Sequence, residues 1–405
     1  MHLLHMRWCA TVKKVMIFLL LARCHAVFAA ADRTQLPAFF QNSYIGFSAG
    51  YADFGFTDAN LESHLHSTSI QKERISLKVY GGHYFNPYLA LQLSLMRPIY
   101  WVKYQGVYSP DSSNSVWMNI LSLTLRPTWP INDTFMLYGE LGTSYISRTG
   151  FNGPDSSPGV KSAGILTPLT GAGVVYRFTP HWHLDASANV AWPNQSANQP
   201  SILHAALGLY YLFSPSLTAP TQATASPDYF PLQVLEFGFF ERRWFNLDPT
   251  KILSNAYVPL FFQGSIKAQS GYYLMYERNV YHTKRWISLD WGVSAGGFLS
   301  TINKEKFYTF AVFPAIRFWP VHSAFLQCYF TVSLAGPSYL SHNVIDRTPT
   351  GGHFTFQDYL GVGAIVGKSK RLNVNLKLLH YSNGNLLPHN PGIATPLILN
   401  IGYAW

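Results

Sequence analysis

Between Tyr44 and Phe213, apolar and polar residues alternate in eight stretches, at 44 to 56, 73 to 85, 88 to 104, 115 to 129, 134 to 148, 162 to 178, 181 to 192 and 202 to 213. A period of two places successive side chains on opposite faces of a strand, so each stretch predicts a β-strand with one apolar face. The breaks alternate as well. After the second, fourth and sixth stretches they are tight and rich in turn formers (Asn86-Pro87, Pro130-Ile131-Asn132-Asp133, Thr179-Pro180), and after the others they are longer and polar. Short turns on one side and long loops on the other are the pattern of an outer-membrane barrel.

Residues 214 to 231 change character, with Pro215, Pro220, Pro227 and Pro231 set among Ser, Thr and Ala, and read as a linker. The plan then repeats in segments near 232 to 245, 259 to 279, 285 to 300, 307 to 320, 322 to 335, 353 to 367, 371 to 382 and 395 to 405. Pro320-Val321-His322 and Lys368-Ser369-Lys370 fit tight turns, while the break around Tyr281 to Lys284 is less clean. Each half closes on an aromatic after an alternating strand, Phe213 and Trp405. A terminal aromatic in each half favours an all-β fold of two tandem eight-stranded antiparallel barrels, at 42 to 213 and 232 to 405, over one sixteen-stranded pore.

Composition agrees with burial in lipid. Of 405 residues, 12% are charged, about half the share usual in soluble domains, and 16% are aromatic. A membrane helix needs roughly 18 or more consecutive apolar residues, and the longest comparable run is the short Val15 to Ala22. The remaining structure that satisfies backbone groups in lipid is a closed barrel. Lys13 and Lys14, the apolar run and Val27-Phe28-Ala29 read as an export signal cut after Ala29. Cys9 and Cys24 lie within it, so the mature chain keeps Cys328 alone and forms no internal disulfide. Arg23 before Cys24 makes a poor lipoprotein site. Removing Arg7, Lys13, Lys14 and Arg23 lowers the formal charge from +10 to +6. The basic residues are scattered, with no recognition helix for nucleic acid, and contact with anionic lipid headgroups explains them better.

Two motifs fall to context. Gly46-Phe47-Ser48-Ala49-Gly50 and Gly292-Val293-Ser294-Ala295-Gly296 spell G-x-S-x-G, but the nucleophile elbow needs a turn from strand into helix, and both lie within strand-patterned segments. Small residues facing a narrow lumen explain them. His64-Leu65-His66 and His181-Trp182-His183 lack the cysteine or carboxylate partners of a metal site, and a loop and a turn account for them.

One constellation remains, His380-Tyr381-Ser382-Asn383, at the end of the seventh segment of the second half. Parity puts Leu372, Val374, Leu376 and Leu378 on one face with His380 and Ser382, and Asn373, Asn375, Lys377 and Tyr381 on the other. The apolar face of a small barrel meets lipid, so His380 and Ser382 are expected to point outward into the membrane, where polar groups are costly without a function. With the N-terminus in the periplasm, an odd-numbered strand ends at the outer surface. Residues i and i+2 on one face are close enough for a histidine to act as base toward a serine hydroxyl. A polar pair at the headgroup boundary is the plain alternative.

His380-Tyr381-Ser382-Asn383-Gly384, followed by Asn390-Pro391-Gly392-Ile393 and a last strand, resembles the C-terminal signature of the PagL family of lipid A 3-O-deacylases. Phe354-Thr355-Phe356-Gln357-Asp358 and Gly361-Val362-Gly363 resemble that family's preceding strand. The likeness covers roughly 232 to 405 and is strongest over the last fifty residues. It implies an eight-stranded outer-membrane barrel that hydrolyses the ester-linked acyl chain at the 3 position of lipid A, with a His-Ser-Glu triad on its lipid-facing wall. Matched residue by residue, His380 is the implied base and Ser382 the nucleophile. Asn383 helps shape the oxyanion site, and Phe356 and Asn390 join it in binding substrate. The implied partner is lipopolysaccharide. No metal or organic cofactor is implied, and the oligomeric state is left open, with a homodimer as one form.

The third member departs from the family, whose Glu falls at Ala394. A hairpin through Gly367 to Arg371 that pairs Val366 with Leu372 sets Asp358 opposite His380 on the same face, so Asp358 can orient the imidazole. A slip of two residues moves it away. Otherwise a His-Ser dyad acts without an acid, more slowly. Arg242, Arg243, Lys304, Lys306 and Arg347 fall at or near outer loops, placed to meet lipid A phosphates. The first half resembles, more loosely, OmpA-like and opacity-type barrels through Tyr44-Ile45-Gly46-Phe47 and 207 to 213, with no catalytic set. The competing reading is a non-catalytic barrel pair (scaffold, adhesin or narrow pore) whose site has decayed, as Ala394 suggests.

Overall fold

The structure, a computed structural model, describes residues 33–34, 36–37, 40–62, 64–72, 74–99, 101–213, 229–243, 264–387 and 389–405. The expected export signal and the expected linker as far as residue 228 lie outside the described residues.

Alternation closes into two separate barrels. The strands of the first are β1 (Ser43–Phe54), β2 (Ile75–Asn86), β3 (Leu89–Pro98), β4 (Ser113–Pro130), β5 (Phe135–Thr149), β6 (Ala163–Arg177), β7 (Trp182–Ala191) and β8 (Ile202–Leu212). Each pairs antiparallel with the next, and β8 returns to β1 with Tyr44 opposite Leu212. The second barrel comprises β9 (Gln233–Glu241), β10 (Ile266–His282), β11 (Ile287–Ser300), β12 (Lys306–His322), β13 (Leu326–Leu340), β14 (Phe354–Val366), β15 (Leu372–Ser382) and β16 (Ile393–Ala404), closed by β16 against β9. Closure leaves no unpaired strand edge in lipid.

The outer faces carry the apolar residues. Ile45, Phe47, Val79, Leu93 and Leu141 are exposed on the first barrel, and Phe237, Val312, Phe330 and Ile401 on the second. Exposed Phe85, Tyr88, Trp129, Phe135 and Trp182 ring the tight-turn end of the first barrel as an aromatic belt. The lumens are packed with polar groups that neutralise one another. In the first, Arg126 lies 3.5 Å from Asp185, donates to Gln92 at 2.7 Å and lies 3.6 Å from the Tyr138 ring centroid. In the second, Lys377 pairs with Glu236 at 2.6 Å, and Arg317 bonds both Asp290 (2.9 Å) and Glu277. Removing one partner of such a buried pair costs about 3–5 kcal/mol, because the other charge is stranded. Arg126 and Arg317 are almost fully buried among these partners. Gly46 belongs to the same packing, since a Cβ there would lie 2.5 Å from the Tyr210 Cβ and 2.7 Å from the Tyr80 ring. Both G-x-S-x-G segments run inside strands, with Ser294 donating inward to Gln357 Oε1 at 2.8 Å.

Three boundaries differ from the pattern. The third stretch splits at Pro98, and its remainder, Val102–Gln105, pairs with Ser69–Gln71 in an extension of the sheet. The turn expected at Pro320-Val321-His322 lies further on. A register shift between Phe318 and Val321 absorbs Pro320 within β12, and the chain reverses after Ser323, whose Oγ accepts from Leu326 N at 2.9 Å. β13 continues to Leu340 beyond the expected end at 335, through a bulge between Ser333 and Gly336. The extra residue shifts the phase of alternation, which hides the rest of the strand from a period-two reading.

Candidate active site

β14 and β15 form a hairpin whose register pairs Val366 with Leu372, Asp358 with His380 and Phe356 with Ser382. Inside the barrel, Tyr381 donates to Gln357 Oε1 at 3.0 Å, and Lys377 and Asn373 both bond Glu236. These inward anchors fix the parity of β15, so His380 and Ser382 belong to its outer face. On the other flank β16 pairs Ala394 with His380 after a register shift beyond Leu378.

The Asp358 carboxylate is held from two sides. Ala335 lies at the β13 bulge with φ 55°, a left-handed conformation uncommon for a residue with a Cβ. Its freed N–H donates to Asp358 Oδ1 at 2.6 Å. Asp358 Oδ2 lies 3.5 Å from His380 Nδ1, with the Asp side chain 19% exposed. That distance is longer than a hydrogen bond and within ion-pair reach, as is common for catalytic contacts that tighten on substrate. A carboxylate pinned by a backbone amide can stabilise an imidazolium at Nδ1, leaving Nε2 for proton transfer.

Burial of the histidine differs from the expectation of an imidazole open to lipid. His380 is 2% exposed, and its outer-face neighbours Leu378 and Ala394 are 3% and 1% exposed. Parity gives the direction of a side chain and not what lies over it. Ser382 and Phe356 are half-buried, and Phe354, edge-on to Phe356 with ring centroids 5.0 Å apart, is exposed. The hydroxyl and two rings therefore form the accessible part of the site.

Asn383 and Asn390 are loop braces rather than free donors. Asn383 Nδ2 donates to Thr350 O (3.3 Å) and His389 O (3.1 Å), while its backbone N–H donates to Asn390 Oδ1 at 2.9 Å. All three of its N–H hydrogens thus have protein acceptors, so Asn383 fixes the turn after the serine and has no donor left for an oxyanion. The Ala335 amide has no residue-type signal of its own. Gly336-Pro337 within a strand pattern is the cue that marks a bulge there.

Among the basic residues, Lys304 lies in the short β11–β12 loop, Lys306 opens β12, and exposed Arg347 lies in the β13–β14 loop. Asp346 ties these loops together, accepting from Ser300 Oγ (2.6 Å), Asn303 N (2.7 Å) and Ile302 N (3.1 Å). Arg242 Nε donates to Ala268 O at 3.2 Å, and Arg243 is exposed. Of the paired histidines, His183 bonds Tyr210 Oη at 2.9 Å inside the lumen, and His181 stacks on Tyr211.

Residues 270–404 match the family described as Lipid A 3-O-deacylase (PagL), and residues 16–213 match the Outer membrane protein beta-barrel domain. Among solved structures, the chain is similar to the outer membrane enzyme PagL at 13% identity, covering 42% of this chain and 96% of that one with a TM-score of 0.28. It is also similar to the N-terminal β-barrel domain of Pseudomonas aeruginosa OprF, at 18% identity, 43% and 98% coverage and a TM-score of 0.28. Ail, the attachment invasion locus protein of Yersinia pestis, is similar at 17% identity, 42% and 97% coverage and a TM-score of 0.29. No curated protein matches the sequence.

Proposed function

We propose, for a chain that is an outer-membrane protein of two transmembrane barrels and whose second barrel matches the lipid A deacylase family over most of its length, that the second barrel hydrolyses the ester-linked acyl chain at the 3 position of lipid A. Ser382 is the nucleophile, His380 the base and Asp358 the residue that orients His380. The observation that carries this reading is the row Asp358–His380 beside Phe356–Ser382 on one outer face, with the carboxylate pinned by the Ala335 amide.

In this mechanism His380 takes the Ser382 Oγ proton as the oxygen attacks the ester carbonyl. The C–O bond to the sugar then breaks, and the imidazolium returns the proton to the departing 3-hydroxyl oxygen. Water, deprotonated by the same imidazole, hydrolyses the acyl-enzyme and frees the fatty acid. Ala394 stands where the family carries its Glu, on the opposite flank of His380 from Asp358. The acid has therefore moved to the other neighbouring strand. Phe354 and Phe356 supply apolar surface for the acyl chain, and Lys304, Lys306 and Arg347 supply charge for the phosphates.

Purified protein incubated with lipid A in detergent tests this reading. Release of one hydroxy fatty acid, with fragment ions showing loss from the 3 position, supports it, and intact lipid A refutes it. Ala394 also favours a second reading, a barrel that keeps the His-Ser pair without turnover, and the same assay separates the two.

A further inference from the structure

The outer wall of the first barrel breaks its own apolar pattern beside the second. Asn119 on β4 and Tyr145 and Ser147 on β5 face outward by parity, since Met118, Ile120, Ser144 and Ile146 are the lumen-facing residues. Asn119 and Ser147 are directly paired across the two strands. Polar groups on a lipid wall are costly unless they find partners. Here each meets a backbone carbonyl of the second barrel. Asn119 Nδ2 donates to Gly384 O (3.4 Å), Tyr145 Oη to Leu386 O (2.9 Å) and Ser147 Oγ to Asn385 O.

Three consecutive carbonyls of one loop are thus taken by one patch, and the first of them, Gly384 O, lies two residues after Ser382. Gly384 and Asn385 are both left-handed, with φ 64° and 58°, a conformation that glycine adopts freely and asparagine tolerates, so the loop can turn its carbonyls toward the first barrel without strain. The direction of the chain agrees. β5 and β15 both run toward the long-loop side, so the contact joins outer end to outer end. At the opposite end Arg33, just ahead of β1, donates to Asn279 Oδ1 (2.9 Å), Phe230 O (3.2 Å) and Pro231 O (3.3 Å) of the second barrel. The barrels are tied at both ends, the same way up.

We propose that the first barrel is a docking platform for the active-site loop of the second: Asn119, Tyr145 and Ser147 fix Gly384–Leu386 and so hold Ser382 in register with His380. The claim of a contact stands on geometry alone, and its catalytic consequence rests on the deacylase reading above. The three are positioning residues, remote from the reacting atoms.

The test uses the full chain with Cys328→Ser. Ser147→Cys with Asn385→Cys should form a disulfide under mild oxidation in membranes, and Ser147→Cys with Asn343→Cys, in another outer loop, should not. The triple variant Asn119→Leu, Tyr145→Phe, Ser147→Ala, checked for folding by heat-modifiable gel mobility, should speed amide exchange at 384–387 by about tenfold or more. Its deacylation kcat should fall by about tenfold or more with KM within about twofold. Cross-linking no better than the control, unchanged exchange, or an unchanged kcat overturns the platform. If the double-cysteine protein cross-links and the loop loosens in the triple variant, but wild type never deacylates lipid A, the result counts against the deacylase reading alone.

Discussion

His380 has a carboxylate on one neighbouring strand and a methyl group on the other, and the chemistry of the site turns on that asymmetry. If Asp358 orients the imidazole, Asp358→Asn keeps the shape and the Ala335 contact but removes the charge that stabilises the imidazolium. The expected loss of deacylation rate is about a hundredfold or more. Ala394→Glu alone should add little, and in the Asp358→Asn background it should restore activity, because it returns a carboxylate to the opposite flank. Initial rates of fatty-acid release by the three variants and wild type check this, and a silent Asp358→Asn in a folded, active protein removes Asp358 from the mechanism. Much of this site is legible in the sequence. Strand parity puts His380 and Ser382 on one face, and of the registers the sequence leaves open, the one pairing Val366 with Leu372 sets Asp358 opposite His380, as the structure has it. The cover over His380 is not legible, because parity gives the direction of a side chain and not what lies over it, nor is the use of Asn383 as a brace, because it depends on how the loops that carry Thr350, His389 and Asn390 turn.

The strands are legible for the same reason that the faces are, since lipid outside and a filled lumen inside impose a strict period of two. Reading fails where the backbone leaves that period. The bulge at Ala335 makes β13 seem to end early, although it is the feature that supplies the amide held by Asp358. The outer loops show a second kind of irregularity. Burial pushes the Asp346 carboxyl up, but hydrogen bonds from Ser300 Oγ and the amides of Asn303 and Ile302, with Lys304 nearby, outweigh it and hold it below the ordinary range. A carboxyl depressed in the folded state contributes stability that is present above its unfolded value of about 3.9 and is lost as pH falls through the lower folded value. The tie between the β11–β12 and β13–β14 loops should therefore hold from pH 7 down to the unfolded value of about 3.9 and open only as pH falls further, through the lower folded value of Asp346. Amide exchange at Ile302 and Asn303, corrected for the intrinsic effect of pH, reads this directly, and Asp346→Asn should already be loosened at pH 7.

Two barrels of eight strands each begin and end on the same side of the membrane, so the expected linker from 214 to 231 is predicted to be periplasmic. A protease site placed there should stay intact in whole cells exposed to external protease and be cut once the outer membrane is opened, and cleavage in sealed cells contradicts the paired arrangement. The outer walls carry the proposed site, the row of Asp358–His380 and Phe356–Ser382, on one barrel and the polar patch that meets its loop on the other. The claim that joins these scales is that the pair removes an acyl chain from lipid A through Ser382. Its most direct test is mass spectrometry of lipid A from cells making wild-type protein or Ser382→Ala at equal, folded levels. Loss of one 3-linked hydroxyacyl chain with wild type, and at most about a thousandth of that conversion with Ser382→Ala, is the predicted result. Identical, fully acylated lipid A in both, or equal deacylation by both, contradicts it.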